Sequence, residues 1–388
     1  MISWKLKTRS VRPIGLDIGH NSIKMIQLAI NEGRISVLAA DKVRLDPNID
    51  GDGEERRGLI VSTIKQMLTE SNYRGRNVVS CLPNGQLKIT SLRLAEGEEE
   101  IEQAMRKEAT QRFGLDPERD AINYIVAGNI QEGDVIKNEL ILFAADGETI
   151  KRHIGILEET QLRPVAIDNV PCALFRSFER SLRRQEDRER TVVFVDIGSR
   201  FTTVVFGCGG EDGGDISFIK QIQIGGEKFN REIAAKLGIN IGEAEILRDR
   251  LRKERSGSRG RLGNVANGDG LDASTRQVIT DSVGAVAEEL AREISLCFRY
   301  YTVTFRGKRV ERAVFAGGEA YESILLNVLR RQLPVEIEVA QPLRGFDMIN
   351  VNFDSDRRGL LCEWAVAVGL SLKGWDGAEK HSKEPEAQ

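Results

Sequence analysis

Two stretches of this chain end an apolar strand in the same short turn. Ile14-Gly-Leu-Asp-Ile-Gly19 and Phe194-Val-Asp-Ile-Gly198 both reach Asp-x-Gly and then enter a second apolar run, Ile23 to Ala29 and Phe201 to Phe206. Apolar alternation broken by a glycine-containing turn reads as a β-hairpin. Asp17 and Asp196 lie 179 residues apart, too far for a stacked repeat and right for two related domains. The 388 residues leave room for both at about 100–200 residues per domain. Between them, Arg176 to Arg190 is dense in charge and predicts a solvated helix end and linker.

Composition narrows the function classes. Lys and Arg number 56 against 59 Asp and Glu, so no strong field points to nucleic acid or a lipid surface. Five cysteines stand singly and the three histidines are scattered, which argues against a zinc framework or a His/Cys metal enzyme and fits a reducing compartment. No stretch reaches the length of apolar chain that a bilayer demands; the nearest, Gly359 to Leu372, is short and interrupted by Glu363. Residues 1–12 read as a basic leader without an apolar region behind it, not as a signal peptide. Residues 373–388 read as a polar tail with no amphipathic anchor.

The pattern between the two turns is α/β. A helix is expected over Leu59 to Leu68, with Leu59, Ile60, Ile64, Met67 and Leu68 on one face. A compact α+β insertion is expected over 77–146: strands at Val78–Leu82 and Leu87–Leu94, an acidic-headed helix at Glu98–Arg112, and strands at Ala121–Ala127 and Leu140–Ala145. Helices at Thr149–Thr160 and Val170–Phe178 flank a strand at Pro164–Ile167. The second half is expected to hold a strand at Ser217–Ile224, helices at Glu227–Leu237 and Gly242–Lys253, and a long amphipathic helix through Val283, Val286, Leu290, Ile294, Cys297 and Tyr301. Residues 256–270 collapse into Ser, Gly, Asn and Arg and read as a flexible loop; no aromatic residues stand among its arginines to stack bases.

Three Gly-rich turns follow apolar strands: Asp17-Ile-Gly-His-Asn-Ser-Ile-Lys24, Asp196-Ile-Gly-Ser-Arg-Phe-Thr202 and Val314-Phe-Ala-Gly-Gly-Glu319. Glycines let successive backbone N–H groups close on an anion. A carboxylate at the strand end can hold Mg²⁺ through its waters, and Lys24 offers a point charge to phosphates. Singly, each turn also reads as an ordinary hairpin. Three in this order, with Gly225-Gly226-Glu227 between the last two, form a far narrower set.

In that order of turns the chain resembles the superfamily of actin, sugar kinases and heat-shock chaperone ATPases. Within it the sequence is similar to the PilM family of type IV pilus assembly proteins over about Pro13 to Leu372. Supporting stretches are Val78-Val-Ser-Cys-Leu-Pro83, Glu108-Ala109, Leu140 to Ala145, Leu162 to Asp168, Gly225-Gly-Glu227, Ala244-Glu245 and Ala365 to Leu370. The resemblance implies an α/β actin-like ATPase fold, two ribonuclease H-like lobes around a nucleotide cleft, with an inserted α+β subdomain. The first lobe would comprise 13–76 and 147–185, closed by 359–372, and the second 191–358.

The resemblance also implies site roles. Asp17 and Asp196 would hold the Mg²⁺ of Mg-ATP. Gly19, Asn21, Ser22 and Lys24 would meet the β- and γ-phosphates, with Gly198, Ser199 and Thr202 opposite. Gly226, Glu227, Glu245, Arg248, Gly317 and Gly318 would enclose ribose and adenine, and Asp168 would align the attacking water. Read as residues alone, Glu245 and Arg248 are equally an i,i+3 surface pair, Asp168 a helix cap and Lys24 a solvated strand residue. His20, Arg200-Phe201 and the 256–270 loop depart from the family pattern, which leaves turnover open. The family implies a cytoplasmic adaptor, held at the inner membrane by the cytoplasmic tail of a single-pass PilN-like protein, with at most weak ATPase activity and self-association open. Two rivals share the fold: an FtsA-like polymerising protein, which would end in an amphipathic helix, and a small-molecule kinase, which would need a further catalytic Asp in the first lobe.

Overall fold

A computed structural model describes residues 10–46, 49, 51, 53–94, 98–132, 135–182, 190–210, 214–257, 271–305, 310–349, 351, 353 and 361–374. The expectations for residues 1–9, for 183–189 within the charged linker, for the loop beyond Gly257 and for the tail beyond Gly374 lie outside the described residues.

The chain opens on an antiparallel meander of β1 (Ser10–Ile18), β2 (Ser22–Asn31) and β3 (Arg34–Arg44). β3 is a third strand where two were expected; it alternates Ile35, Val37 and Ala39 inward between half-buried neighbours. Helix α1 (Glu54–Glu70) then crosses to β4 (Asn77–Cys81), parallel to β1. The added segment follows, with β5 (Lys88–Leu94), α2 (Glu98–Phe113), β6 (Ala121–Glu132) and β7 (Val135–Ala145). These strands form their own sheet in the order β5-β7-β6. The chain returns through α3 (Gly147–Glu159) to β8 (Arg163–Asp168), parallel to β4, and to α4 (Val170–Glu179). The strand at 77–81, read above with the insertion, is instead the fourth strand of the first sheet, because it pairs with β1 and β8.

The second half repeats this plan. β9 (Thr191–Ile197), β10 (Thr202–Cys208) and β11 (Asp215–Ile222) form a meander. Helices α5 (Gly226–Leu237), α6 (Ile241–Gly257) and α7 (Ala273–Thr304) lead to β12 (Val310–Ala316), parallel to β9. Helix α8 (Ser323–Gln332) leads to β13 (Glu336–Val339), parallel to β12. The two sheets therefore share one order: β3-β2-β1-β4-β8 and β11-β10-β9-β12-β13. Two meanders followed by parallel crossovers make the expected pair of α/β lobes.

The last helix, α9 (Ala365–Ser371), belongs to the first lobe although it follows the second in sequence. It lies against β1 so closely that a Cβ at Gly15 would fall 2.1 Å from the Ala367 carbonyl, and one at Gly369 would fall 1.7 Å from that of Ala173 on α4. Ser371 Oγ donates to Pro13 O at 2.8 Å and accepts from Leu28 N–H at 3.3 Å. Both lobes are filled by large apolar side chains, with Phe194, Phe206, Phe229, Tyr301 and Phe315 fully buried in the second. Burial of each such side chain contributes about 1.5–3 kcal/mol. Among the described residues, no helix is long and apolar enough to cross a membrane.

Candidate functional site

Both lobes build their Asp-x-Gly turn with the same hydrogen bond. Gly19 N–H donates to Ser22 O at 3.0 Å, and Gly198 N–H donates to Phe201 O at 3.0 Å. The turns face each other across a cavity of about 1430 Å³ and touch where Ser199 Oγ donates to Asn21 Oδ1 at 3.0 Å. That space exceeds the roughly 300–1,000 Å³ of an ordinary small-ligand site.

Residues directly opposite in antiparallel strands share a face of the sheet. In the first lobe Asp17, Lys24 and Lys42 form one such row across β1, β2 and β3. In the second lobe Asp196, Thr203 and Gln221 form its counterpart across β9, β10 and β11. Lys24 Nζ lies 3.0 Å from Asp17, and Lys42 Nζ lies 3.1 Å from Glu363, a buried carboxylate that also accepts from the Tyr321 hydroxyl. Burial alone would lower the Lys24 pKa, but Asp17, with Asp196 and Glu363, raises it above its ordinary value. Lys24 is therefore an ammonium at neutral pH.

The second row has threonine where the first has lysine. The Asp196 carboxyl is accordingly pushed up to about 6, first by burial and then by the charge of Asp17, with Lys24 opposing. Gly317, at φ +91°, seats the third turn directly against it: a Cβ there would lie 2.4 Å from Ile197 O and 2.8 Å from Asp196 Oδ1. A side chain at Gly318 would meet nothing within 4 Å, so that position opens on the cavity.

On the far wall, Arg248 of α6 is buried and donates to Asn230 Oδ1 at 3.1 Å, to Gly226 O at 3.3 Å and to Glu319. Its guanidinium stacks 4.5 Å over the Phe229 ring. Arg252 donates to Glu322 at 2.7 Å and to Glu319. Burial would raise the Glu319 carboxyl, yet Arg248 and Arg252 hold it below its usual range. Glu245, half-buried on the same wall, is pushed up by burial and then by Asp249. Ile246, 65% exposed, adds an apolar face to that wall.

Twelve of the sixteen residues singled out from sequence line this cavity: Asp17, Gly19, Asn21, Ser22, Lys24, Asp196, Gly198, Ser199, Glu245, Arg248, Gly317 and Gly318. Four do not. Thr202 is fully buried, its hydroxyl donating to Ile224 O at 2.7 Å. Gly226 and Glu227 back the second turn instead of facing a ligand, through N–H bonds to Gly198 O (3.0 Å) and Ser199 O (2.8 Å). The Glu227 carboxylate is taken by Arg200 and Arg231. Asp168 points to the α4 and α9 side of its sheet, where Arg176 (2.8 Å) and Lys373 (3.2 Å) hold its carboxylate. Nor does Asp168 cap α4; Asn169 does, accepting from Cys172 N–H at 2.8 Å. The i,i+3 reading of Glu245 and Arg248 also gives way, since Arg248 turns inward to Glu319.

Sequence reasoning missed Lys42, Glu363, Glu319 and Arg252, which also line the cavity. The strand register was the available signal for Lys42, which stands directly opposite Lys24.

Two lobes of one topology, each closing a Gly-rich turn and an aspartate on a shared cleft, define a protein of the actin-like ATPase fold. The family model described as "Type IV pilus assembly protein PilM" matches residues 15–254. This chain belongs to that family. Among solved structures it is similar to a PilM-PilN type IV pilus biogenesis complex, with a TM-score of 0.71 at 21% identity over 95% of this chain and 99% of that one. The ethanolamine utilization protein EutJ from Carboxydothermus hydrogenoformans is similar at a TM-score of 0.52 and 14% identity, over 94% of this chain and 90% of that one.

Proposed function

We propose that this protein binds ATP with Mg²⁺ between its lobes and acts as an adaptor in a type IV pilus or type II secretion-like assembly. It would clasp the cytoplasmic tail of a PilN-like single-pass membrane protein and so be held at the inner membrane from the cytoplasm, hydrolysing ATP slowly or not at all. The observation that carries the nucleotide reading is the meeting of the two turns at Asn21 and Ser199, with Asp17, Lys24 and Asp196 beside them. Backbone N–H groups of the turns and the Lys24 ammonium suit the β- and γ-phosphates. Glu245, Ile246 and the Arg248 cluster form the wall for ribose and base.

The donor set fits the metal. Asp17 and Asp196 are two hard carboxylates that no third protein ligand joins among the described residues, as suits a Mg²⁺ shared with phosphate oxygens. The raised Asp196 carboxyl marks negative charge that the protein alone does not neutralise. When bound, Mg²⁺ would offset the phosphate charge. With Asp168 held by Arg176 and Lys373, the residue expected to align water is otherwise engaged, which supports slow turnover. The partner reading rests on family membership and on the PilM-PilN likeness; a tail would bind as an extended segment beside the added subdomain.

A thermal-shift titration with Mg-ATP and Mg-ADP on the wild type and on Asp17→Asn tests the nucleotide reading. Ligand at a hundredfold excess over Kd stabilises by about 2.7 kcal/mol. A shift in the wild type that Asp17→Asn loses is expected; no shift at millimolar nucleotide refutes it.

A further inference from the structure

The added subdomain leaves the first sheet through a short linker, Leu82 to Leu87, and that linker does not stay with the first lobe. It crosses the cleft and docks on the second. Asn84 Nδ2 donates to Thr203 Oγ1 at 3.0 Å, and its Oδ1 accepts from Gln221 Nε2 at 3.0 Å. Beside it, a Cβ at Gly85 would lie 3.5 Å from the ring of Phe201, which closes the second phosphate turn. Thr203 and Gln221 are the two residues that share a row with Asp196. Asn84 is thus tied to the second and third members of a three-residue row whose first member is the candidate metal ligand.

We propose that Asn84 is a positioning residue that couples the occupancy of the nucleotide cleft to the orientation of the added subdomain. The proposal rests on the nucleotide reading above and adds its route. An amide that donates to one member of the row and accepts from the next has both functional atoms engaged, so it tracks the sheet as a rigid body. At its far end the added sheet rests on the same lobe: Tyr300 Oη donates to Glu139 at 3.4 Å and Arg93 donates to Thr304 at 3.5 Å. Covalently the subdomain belongs to the first lobe; by these contacts it rides on the second. A ligand that draws the lobes together must therefore turn it relative to the sheet it grows from. The polar ladder Asp196–Thr203–Gln221–Asn84 transmits that movement as displacement, needing no change of charge at the subdomain itself.

The counterpart row in the first lobe ends differently. Lys42 passes from it to Glu363, in the segment that joins the lobes. Each row thus leads from a cleft aspartate to a connection, one to the interlobe segment and one to the added subdomain.

Hydrogen–deuterium exchange with and without Mg-ADP and Mg-ATP tests this on the full chain, read at Lys88–Leu94 and Ala121–Ala145, with thermal shift as the parallel measure of binding. The variants are Thr203→Val, which removes the acceptor with little change of shape, Gln221→Ala, and the two combined; none of these side chains lines the cavity. In the wild type, nucleotide should change protection in the added sheet by a factor in the usual range of coupling, about 5–150-fold. The double variant should keep the thermal shift and lose that response, and each single variant should weaken it. A double variant that binds nucleotide and responds like the wild type overturns the proposal, as does a wild type that binds without any response in the added sheet. A wild type that shows no thermal shift overturns the nucleotide reading, and the coupling with it.

Discussion

Replacing Asp196 by asparagine should stabilise the nucleotide-free protein, and by an amount that depends on pH. The carboxyl sits about two pKa units above its ordinary value of 3.8, near 6, because burial and Asp17 both resist its charge. Each unit corresponds to about 1.36 kcal/mol, so ionising Asp196 costs the fold at most about 3 kcal/mol; water in the cleft reduces this. The sign follows from the folded pKa lying above the unfolded one. The native state binds the proton more tightly, so this group's contribution to stability is complete below pH 3.8 and is lost as pH rises through 6. Asparagine never ionises. Denaturant unfolding without nucleotide or divalent cation should therefore find Asp196→Asn and wild type alike near pH 4 and the variant more stable by about 1–3 kcal/mol at pH 7.5. Mg-ATP, if held through Asp196 as proposed, should narrow or reverse the gap. A difference that does not vary with pH, or a variant less stable at pH 7.5, would refute the electrostatic account of this cleft.

Lys24→Met removes the ammonium that offsets Asp17 and Asp196; nucleotide affinity should fall roughly 10–100-fold, the value of a charged hydrogen bond of about 1.5–3 kcal/mol, as titration calorimetry would show. Asp168→Asn should cost about 1–3 kcal/mol of stability by weakening its ties to Arg176 and Lys373, while leaving nucleotide affinity and any turnover unchanged; a selective loss of turnover would restore the water-aligning role. Gly369→Ala would place a methyl 1.7 Å from the Ala173 carbonyl, an overpacking that backbone must absorb at about 1–3 kcal/mol or more; a melting temperature equal to wild type would count against the close seating of α9 on α4.

The fold was largely legible because its strongest signal is repeated. Asp-x-Gly after an apolar strand marks both lobes, and the two sheets share one strand order. What escaped were features set by pairing across distance. β4 looks like part of the insertion when read along the chain, yet its apolar residues Val78 and Val79 serve the two faces of a sheet that opens more than sixty residues earlier. β3 was missed because Lys42 and Arg44 interrupt its pattern just where it enters the cleft. Asp168 carried a family expectation but not a family environment: the same carboxylate at a strand end can face a ligand or an arginine, and only Arg176, one helix onward, decides. Gly226 and Glu227 stand beside the right turn but behind it, a distinction of a few ångströms that spacing does not record.

The seating of α9 under β1 also orders events in time. Ser371 completes hydrogen bonds with Pro13 and Leu28, and Ala367 fills the space left by Gly15. Until about 350 residues beyond β1 have been made, α4 alone covers part of that face of the first sheet, beside β4, and β1 and β2 stay open there. At about 5–20 residues per second that interval lasts roughly 20–70 s. The second lobe draws its strands from one continuous stretch and can close first. The domain that is synthesised first is thus the last to finish, and an emerging chain presents a partly uncovered apolar sheet for most of its synthesis. Chaperone demand on the ribosome should accordingly fall on the N-terminal half, and a chain cut short after the second lobe should lose the first lobe with it.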